Sequence, residues 1–198
     1  MKNETQWELD QSHSVLSFSV RHLLISRVKG LFVKYDASIY TWEKDFTKVQ
    51  IDLQIDVASI STGDEKRDEH LRGPDFFDVK NYSQISFTAN EMGSFDDTWK
   101  YQLWGDLTMK GVTKRIILSV QYGGMITDIL GKEKAGFIIT GKIKRSDWGL
   151  KWNQVLETGG LLVSDEVDIV CDMELTNMKQ EEFIMELDSR DDIYSKPL

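Results

Sequence analysis

The sequence predicts an all-β fold, an up-and-down barrel of eight antiparallel strands. Eight segments alternate apolar and polar residues with a period of two, and most of the connections between them are short and polar. A flat sheet of that many long strands would twist and leave two edges exposed, whereas closure removes both edges. A two-sheet sandwich is the competing architecture. A barrel of this strand number is either filled by side chains or holds one small ligand.

The alternation defines the strands in chain order. In the first strand, Leu16, Phe18 and Val20 share one face, and the polar residues Ser17, Ser19 and Arg21 occupy the other. The apolar faces of the other seven are Leu31, Val33, Tyr35, Ala37 and Ile39; Val49, Ile51, Leu53, Ile55 and Val57; Ile85, Phe87 and Ala89; Trp99, Tyr101, Leu103, Gly105, Leu107 and Met109; Val112, Ile116, Leu118, Val120 and Tyr122; Ala135, Phe137, Ile139, Gly141 and Ile143; Val167, Ile169, Cys171, Met173 and Leu175.

One charged segment, RDEHLRGPDFFD at 67–78, interrupts the strands. Thr62 and Glu65 have the spacing of a capping box, and Gly73 followed by proline is a stop signal. We therefore predict a short helix over 64–72.

Within this helix Asp68 and Arg72 are spaced as an i,i+4 ion pair, and solvation explains most of the other charges. The phenylalanines that follow, Phe76 and Phe77, are expected to plug one end of the barrel.

Composition limits the partners and the compartment. The net charge of −9 and the pI of about 4.9 disfavour nucleic acid and anionic membranes as general partners. Cys171 is the one cysteine, so no intrachain disulfide can form. The N-terminus lacks the apolar core of a signal peptide, and no stretch approaches the ~20 apolar residues of a membrane span. We expect a cytoplasmic protein.

Several motifs together resemble the YceI-like family of polyisoprenoid-binding proteins. They are WELDQSHS, VKGLF with Tyr35, SISTGDEKRDEHLRGPDFFD, Ile85-Ser86-Phe87, GDLTMKGVTK and RSDWG. The resemblance implies an eight-stranded, lipocalin-like β-barrel that holds an isoprenoid lipid in its apolar interior, has no catalytic activity and no cofactor, and forms a homodimer. It divides the chain into a flexible N-terminus at 1–5, a barrel domain at 6–176 and an acidic extension at 177–198.

If the barrel holds such a lipid, the inward residues of the strands are its expected ligand-binding set. They are Leu16, Phe18, Val20, Leu31, Val33, Tyr35, Ile51, Leu53, Ile55, Phe87, Leu103, Leu107, Phe137 and Ile139. Arg67 and His70 are candidates for contact with the head group at the barrel mouth. The competing interpretation, which we favour for these two, is a helix tied to neighbouring loops by ion pairs and hydrogen bonds.

The remaining chemically active residues support no other site. His13, His22 and His70 stand in no metal-ligand spacing, so we predict no metal site. Arg145 and Asp147 in RSDWG either contact the head group or have a structural role, and Gly149 is expected to form a turn. Cys171 is expected to be a small buried hydrophobe.

Other functions remain open beside the lipid carrier. The sequence contains no nucleophile elbow, Walker loop or dinucleotide fingerprint. If the protein is an enzyme, it is therefore one of an unrecognised kind. A binding module for another apolar ligand, such as a fatty acid or amide, would use the same interior. A protein-interaction role is the third class.

The acidic extension is treated separately. Phe183, Ile184 and Leu187 share one helical face, which predicts a C-terminal helix over 178–188 that packs on the barrel, while 189–198 are expected to be partly disordered. An acidic helix is a poor membrane anchor, so any transient membrane contact must use another surface.

Overall fold

The computed structural model describes residues 4–23, 25–94, 100–155 and 162–178. They form the strands β1 Glu4–Leu9, β2 Val15–His22, β3 Ser26–Phe32, β4 Tyr35–Trp42, β5 Asp45–Asp56, β6 Ile60–Ser61, β7 Gln84–Ser94, β8 Lys100–Met109, β9 Val112–Thr127, β10 Glu133–Lys144 and β11 Val163–Asn177. The helix α1 spans Glu65–Arg72, and 3₁₀ turns span Val57–Ser59 and Arg145–Trp148.

The strands close into an antiparallel barrel. Its ring runs β1-β4-β5-β7-β8-β9-β10-β11 and closes where Trp7 and Leu9 of β1 pair with Asn177 and Leu175 of β11. The wall is extended on one side by β2, β3 and β6, because β11 also pairs with β2. The predicted eight-stranded barrel is confirmed, and closure of the ring excludes the open sandwich. We call the end that carries α1 the upper end, and the end that carries the β4–β5 and β9–β10 hairpins the lower end.

Two of the eight long strands are bent. The first consists of β1 and β2 and the second of β3 and β4, so each has an upper and a lower part. β1 itself was not predicted, because its six residues carry only Trp7 and Leu9 as apolar inward residues, which are 1% and 6% exposed. The predicted start of the fifth strand at Trp99 lies outside the described residues, and β8 begins at Lys100.

The predicted single strand from Leu31 to Ile39 is wrong in one respect, since β3 ends at Phe32 and β4 begins at Tyr35. The connection between them shifts the alternation by one residue. Phe32 and Ile39 are buried, whereas Leu31 is 38% exposed and Val33 59% exposed. A one-residue shift moves a strand's side chains to the opposite face. Leu31 and Val33 therefore lie on the outer surface, which corrects their place in the predicted inward set.

Helix α1 lies where the sequence places a helix, but its N-cap differs from the prediction. Asp64 is the N-cap, and its carboxylate accepts a hydrogen bond from the Arg67 backbone N–H at 3.2 Å. The predicted capping box of Thr62 with Glu65 is wrong. Gly73 ends the helix and donates to the His70 carbonyl at 3.1 Å.

The side chain of Thr62 instead ties α1 to the barrel. Its hydroxyl donates to the buried Asp68 carboxylate at 2.5 Å, and its backbone N–H donates to the same carboxylate at 2.9 Å. Arg72 does not form the predicted pair with Asp68. It donates to the carbonyls of Ala58 and Ile60 at 3.0 and 3.1 Å. The helix is thereby fixed against the chain that precedes it.

The described residues include no helix with both the length and the hydrophobicity that crossing a bilayer requires. The predicted C-terminal helix over 178–188, apart from its first residue, and the predicted tail at 189–198 lie outside the described residues, which end at Met178.

Candidate functional site

A cavity of about 650 Å³ occupies the barrel interior. Such a volume lies within the range of ~300–1,000 Å³ that is typical of small-molecule sites. The wall is predominantly aliphatic and aromatic, and each of the long strands contributes to it. The interior of this eight-stranded barrel is therefore not filled by its own side chains.

Most of the predicted ligand-binding residues line this cavity. They are Leu16, Phe18, Val20, Ile51, Leu53, Ile55, Phe87, Leu103, Leu107, Phe137 and Ile139, together with Arg67 and His70. Contact of these residues with a ligand stays a prediction.

Tyr35 and the two residues on the outer surface do not line the cavity. The Tyr35 side chain packs against the core, and its hydroxyl donates to the Ser14 carbonyl at 2.7 Å across the β1–β2 bend. Burial raises the pKa of this phenol. Tyr35 is thus a structural link between the two bent strands.

Sequence reasoning missed other lining residues. Ile116, Leu118, Cys171 and Met173 were recognised as apolar strand residues but were left out of the ligand-binding set, although alternation gave the same signal for them. Phe46 had no comparable signal, because it lies next to the β4–β5 hairpin.

Aromatic side chains close the lower end. The Phe46 ring centroid lies 5.0 Å from that of Trp7 and 4.8 Å from that of Phe137, and Tyr122 lies 5.3 Å from Phe137. The Trp7 indole N–H donates to Thr41 Oγ1 at 2.9 Å, which satisfies its polar atom inside the core. Phe46 and Phe137 of this cluster form part of the cavity wall at its lower end.

An ion network lies at the β1–β2 bend. The Lys134 ammonium is 2.6 Å from Asp10 and 3.1 Å from Glu174, and His13 is 3.1 Å from Asp10. Burial opposes ionisation of Asp10, but hydrogen bonds from Lys134, Ser12 and His13 hold its pKa well below the usual range. Asp10, His13 and Glu174 are close enough together to suggest a metal site. The Lys134 ammonium already contacts both carboxylates, so the cluster holds a cation of its own without a metal ion.

Phe76 and Phe77 lie at the upper end and line the cavity, as the plug prediction requires. Phe76 is 8% exposed, and its ring packs 5.1 Å from His70 and 5.2 Å from Trp152. Phe77 packs against Phe32 at 6.1 Å. The two rings therefore face different parts of the upper wall.

The polar atoms of Arg67 and His70 have partners within the protein. Arg67 donates to the hydroxyl and the carbonyl of Thr62 at 2.7 and 2.9 Å. The His70 ring lies 3.2 Å from the Asp75 carboxylate. These contacts support the structural interpretation, although both residues also border the cavity.

The RSDWG segment forms the other side of the upper end. Trp148 is 2% exposed, and its indole donates to the Leu107 carbonyl at 3.1 Å. Gly149 has φ +75°, so the predicted turn role is confirmed. Arg145 is 7% exposed and lines the cavity. Burial lowers the pKa of the Arg145 guanidinium, and the negative charge of Asp165 partly offsets this shift.

Cys171 is buried in β11 and faces the cavity, as a small hydrophobe would. Burial raises the pKa of its thiol to about 12. A catalytic cysteine needs the opposite shift, because the thiolate is the reactive form.

Comparison with known proteins gives a consistent set of relatives. A family model described as the YceI-like domain matches residues 7–175. A UPF0312 protein of Staphylococcus epidermidis is 34% identical over 173 residues, which cover 87% of this chain and 98% of the relative. A UPF0312 protein of Staphylococcus aureus is 32% identical over 173 residues, with the same coverage.

Solved structures share the fold. BcnA of Burkholderia cenocepacia gives a TM-score of 0.72 at 25% identity, and the superposition covers 84% of this chain and 98% of BcnA. The YCEI protein of Campylobacter jejuni gives 0.67 at 35% identity, with 79% and 88% coverage. A polyisoprenoid binding domain from Saccharophagus degradans gives 0.61 at 18% identity, with 86% and 98% coverage. At that identity the likeness concerns the fold alone.

Proposed function

The chain belongs to the YceI-like family, and on that premise we propose that it binds a polyisoprenoid lipid, an isoprenoid quinone or a polyprenyl derivative, inside the barrel. It carries or stores the lipid without changing it chemically. The observation that carries the proposal is the apolar cavity of about 650 Å³, which is closed by aromatic rings at the lower end and bordered by polar residues at the upper end. The polyisoprenoid binding domain of Saccharophagus degradans has the same fold.

Apolar burial accounts for binding without specific polar contacts. Each methylene moved from water into an apolar site contributes about 0.8 kcal/mol, so a long hydrocarbon gains affinity along its whole length. Cavity length then limits which tails fit, and groups at the upper end select the head.

The cavity wall gives little support to catalysis. Its cysteine has a raised pKa, and the polar atoms of Arg67 and His70 are engaged by Thr62 and Asp75. We therefore assign the protein a binding role rather than an enzymatic one. Turnover of the extracted lipid by the purified protein would contradict this assignment.

Carriage requires lipid exchange at the upper end. The β2–β3 hairpin there carries Ile25, which is 86% exposed, and the Leu23 backbone N–H donates to the carbonyl of Leu162, which directly precedes the neighbouring strand β11. We assign the transient membrane contact of this proposal to this hairpin. Ile25→Asp should slow lipid transfer between vesicles while Kd stays unchanged, and an unchanged transfer rate would place the contact elsewhere.

The proposal also includes a cytoplasmic location and a homodimer. Cell fractionation tests the location. Sedimentation velocity of the full chain tests the dimer, and a single monomeric species at micromolar concentration would contradict it.

Native mass spectrometry of the protein purified from its own cells tests the central claim. Solvent extraction then identifies whatever is released. A stoichiometric isoprenoid supports the proposal and names the ligand. A fatty acid or amide in its place would favour the second candidate function, because the same apolar wall accepts any hydrocarbon tail. An empty barrel that binds no added polyisoprenoid would overturn both.

A further inference from the structure

Arg145 is a buried cation in the wall of an apolar cavity, with only 7% of the residue exposed. Three backbone carbonyls hold its guanidinium. Nε donates to Ser164 at 3.0 Å, and Nη1 donates to Leu150 at 2.5 Å and to Trp152 at 2.9 Å. These bonds fix the plane of the guanidinium.

The other terminal nitrogen, Nη2, has no hydrogen-bond partner among the described residues. The described part of the chain also contains no buried side-chain nitrogen or oxygen without a partner, so Nη2 keeps access to open space. Because Arg145 lines the cavity and is otherwise covered, the geometry assigns that space to the cavity.

The positive charge of Arg145 is also not paired within the described structure. The carboxylate that acts on it through space belongs to Asp165. That carboxylate accepts hydrogen bonds from the backbone N–H and the hydroxyl of Ser146, at 3.0 and 2.8 Å. A buried charge is costly unless it gains a partner, and carbonyl oxygens supply only partial negative charge.

The charges along the cavity have the opposite sign to the protein as a whole. Arg145, Arg67 and Lys66 line it together with one carboxylate, that of Asp64, whereas the chain carries a net charge of −9. An apolar site with an excess of cations at one end favours a ligand with an anionic head.

We propose, as an extension of the function proposed above, that Arg145 binds an anionic head group, a carboxylate or a phosphate, through Nη2. The isoprenoid tail then runs from the upper end toward the aromatic cluster of Phe46 and Phe137 at the lower end. Charge-assisted hydrogen bonds from arginine to these oxyanions are stronger than bonds between neutral groups, and they set orientation as well as affinity.

The first test uses the delipidated wild-type protein and ligands that share one tail. Isothermal titration compares geranylgeranyl monophosphate, geranylgeranoic acid, geranylgeraniol and the corresponding hydrocarbon. We expect at least one anion to bind about 10-fold to 100-fold more tightly than the alcohol. The ranking of acid against phosphate identifies the class of anion.

The second test removes the guanidinium. Arg145→Met should abolish the preference for the anion and leave the Kd of the hydrocarbon within about threefold, since a hydrocarbon makes no use of Nη2. Arg72→Met is the matched control, because Arg72 also donates to two backbone carbonyls, those of Ala58 and Ile60, but is not a lining residue. The control should retain the preference.

Arg145→Met also removes three structural hydrogen bonds and can fail to fold. Side-chain ¹⁵N NMR of the wild-type protein then tests the role of Arg145. Its guanidinium resonances should shift when the anion is added and should not shift with the hydrocarbon. Equal affinity for all four ligands, or retention of the preference in folded Arg145→Met, would overturn the assignment while leaving the lipid-binding function intact. Failure of all four to bind would overturn the function itself.

Discussion

Ala37→Phe tests whether the cavity is where the lipid tail lies. Ala37 lines the cavity from β4, next to Leu53 on β5, which pairs with Phe87 on β7. The added ring would displace about six carbon atoms of a bound tail, roughly one isoprene unit. At about 0.8 kcal/mol per methylene the loss is ~4–5 kcal/mol, or on the order of a thousandfold in Kd.

The assay is titration of delipidated protein with geranylgeraniol, followed by tryptophan fluorescence. Ser38→Phe is the matched control, because Ser38 is the next residue on β4 and its exposed side chain faces outward. The melting temperature of unliganded Ala37→Phe should not fall, since filling an apolar cavity adds contacts. Equal Kd values for the two folded variants would refute the assignment of the tail to this cavity.

Other properties of the fold are testable in the same way. Phe76→Ala should lower the free energy of unfolding by about 3 to 5 kcal/mol, while Val33→Ala on the outer surface should stay within about 0.5 kcal/mol; chemical denaturation measures both, and a near-neutral Phe76→Ala would contradict the plug. Iodoacetamide should modify Cys171 slowly at pH 8, and more slowly after lipid addition, because the thiol has a pKa of about 12 and faces the cavity; mass spectrometry follows the adduct, and an unchanged rate would argue against occupancy near Cys171. The folded-state pKa of Asp10 is lowered, so its contribution to stability is present above about pH 4 and is lost as the pH falls further. Lys134→Met should flatten that part of the stability profile, and an unaltered profile would exclude the network as its cause.

The alternation of apolar residues was sufficient to predict the barrel, because in each strand a single face is buried. Ile51, Leu53 and Ile55 show this directly, since their inward positions follow from a period of two alone. The helix could be predicted because its stop signal, Gly73, acts locally.

Competition between neighbouring groups was harder to foresee. Thr62 and Asp64 can both cap a helix. The sequence does not show that Asp68 is buried and that its carboxylate accepts a hydrogen bond from the Thr62 hydroxyl. The offset between Phe32 and Tyr35 likewise depends on a bend in the strand rather than on residue type.

Arg145 illustrates a further limit. Charged residues are rarely fully buried, so a cavity-lining role is not the expectation for an arginine. Its burial depends on carbonyls that only the folded chain brings together, including that of Ser164 in β11. The motif drew attention to the residue, but the sequence left its role undecided.

Aromatic rings that lie over glycines help to leave the cavity open, and a bound ligand would fill that open space. A methyl group at Gly30 would overlap the Phe18 ring, and one at Gly105 would overlap the Phe87 ring, so both rings lie directly over a glycine. Space that these rings leave empty lacks the dispersion contacts of a packed core. A bound hydrocarbon restores those contacts, and at a free concentration 100 times its Kd it would stabilise the fold by about 2.7 kcal/mol. Under the proposed function, the empty barrel is therefore the less stable state.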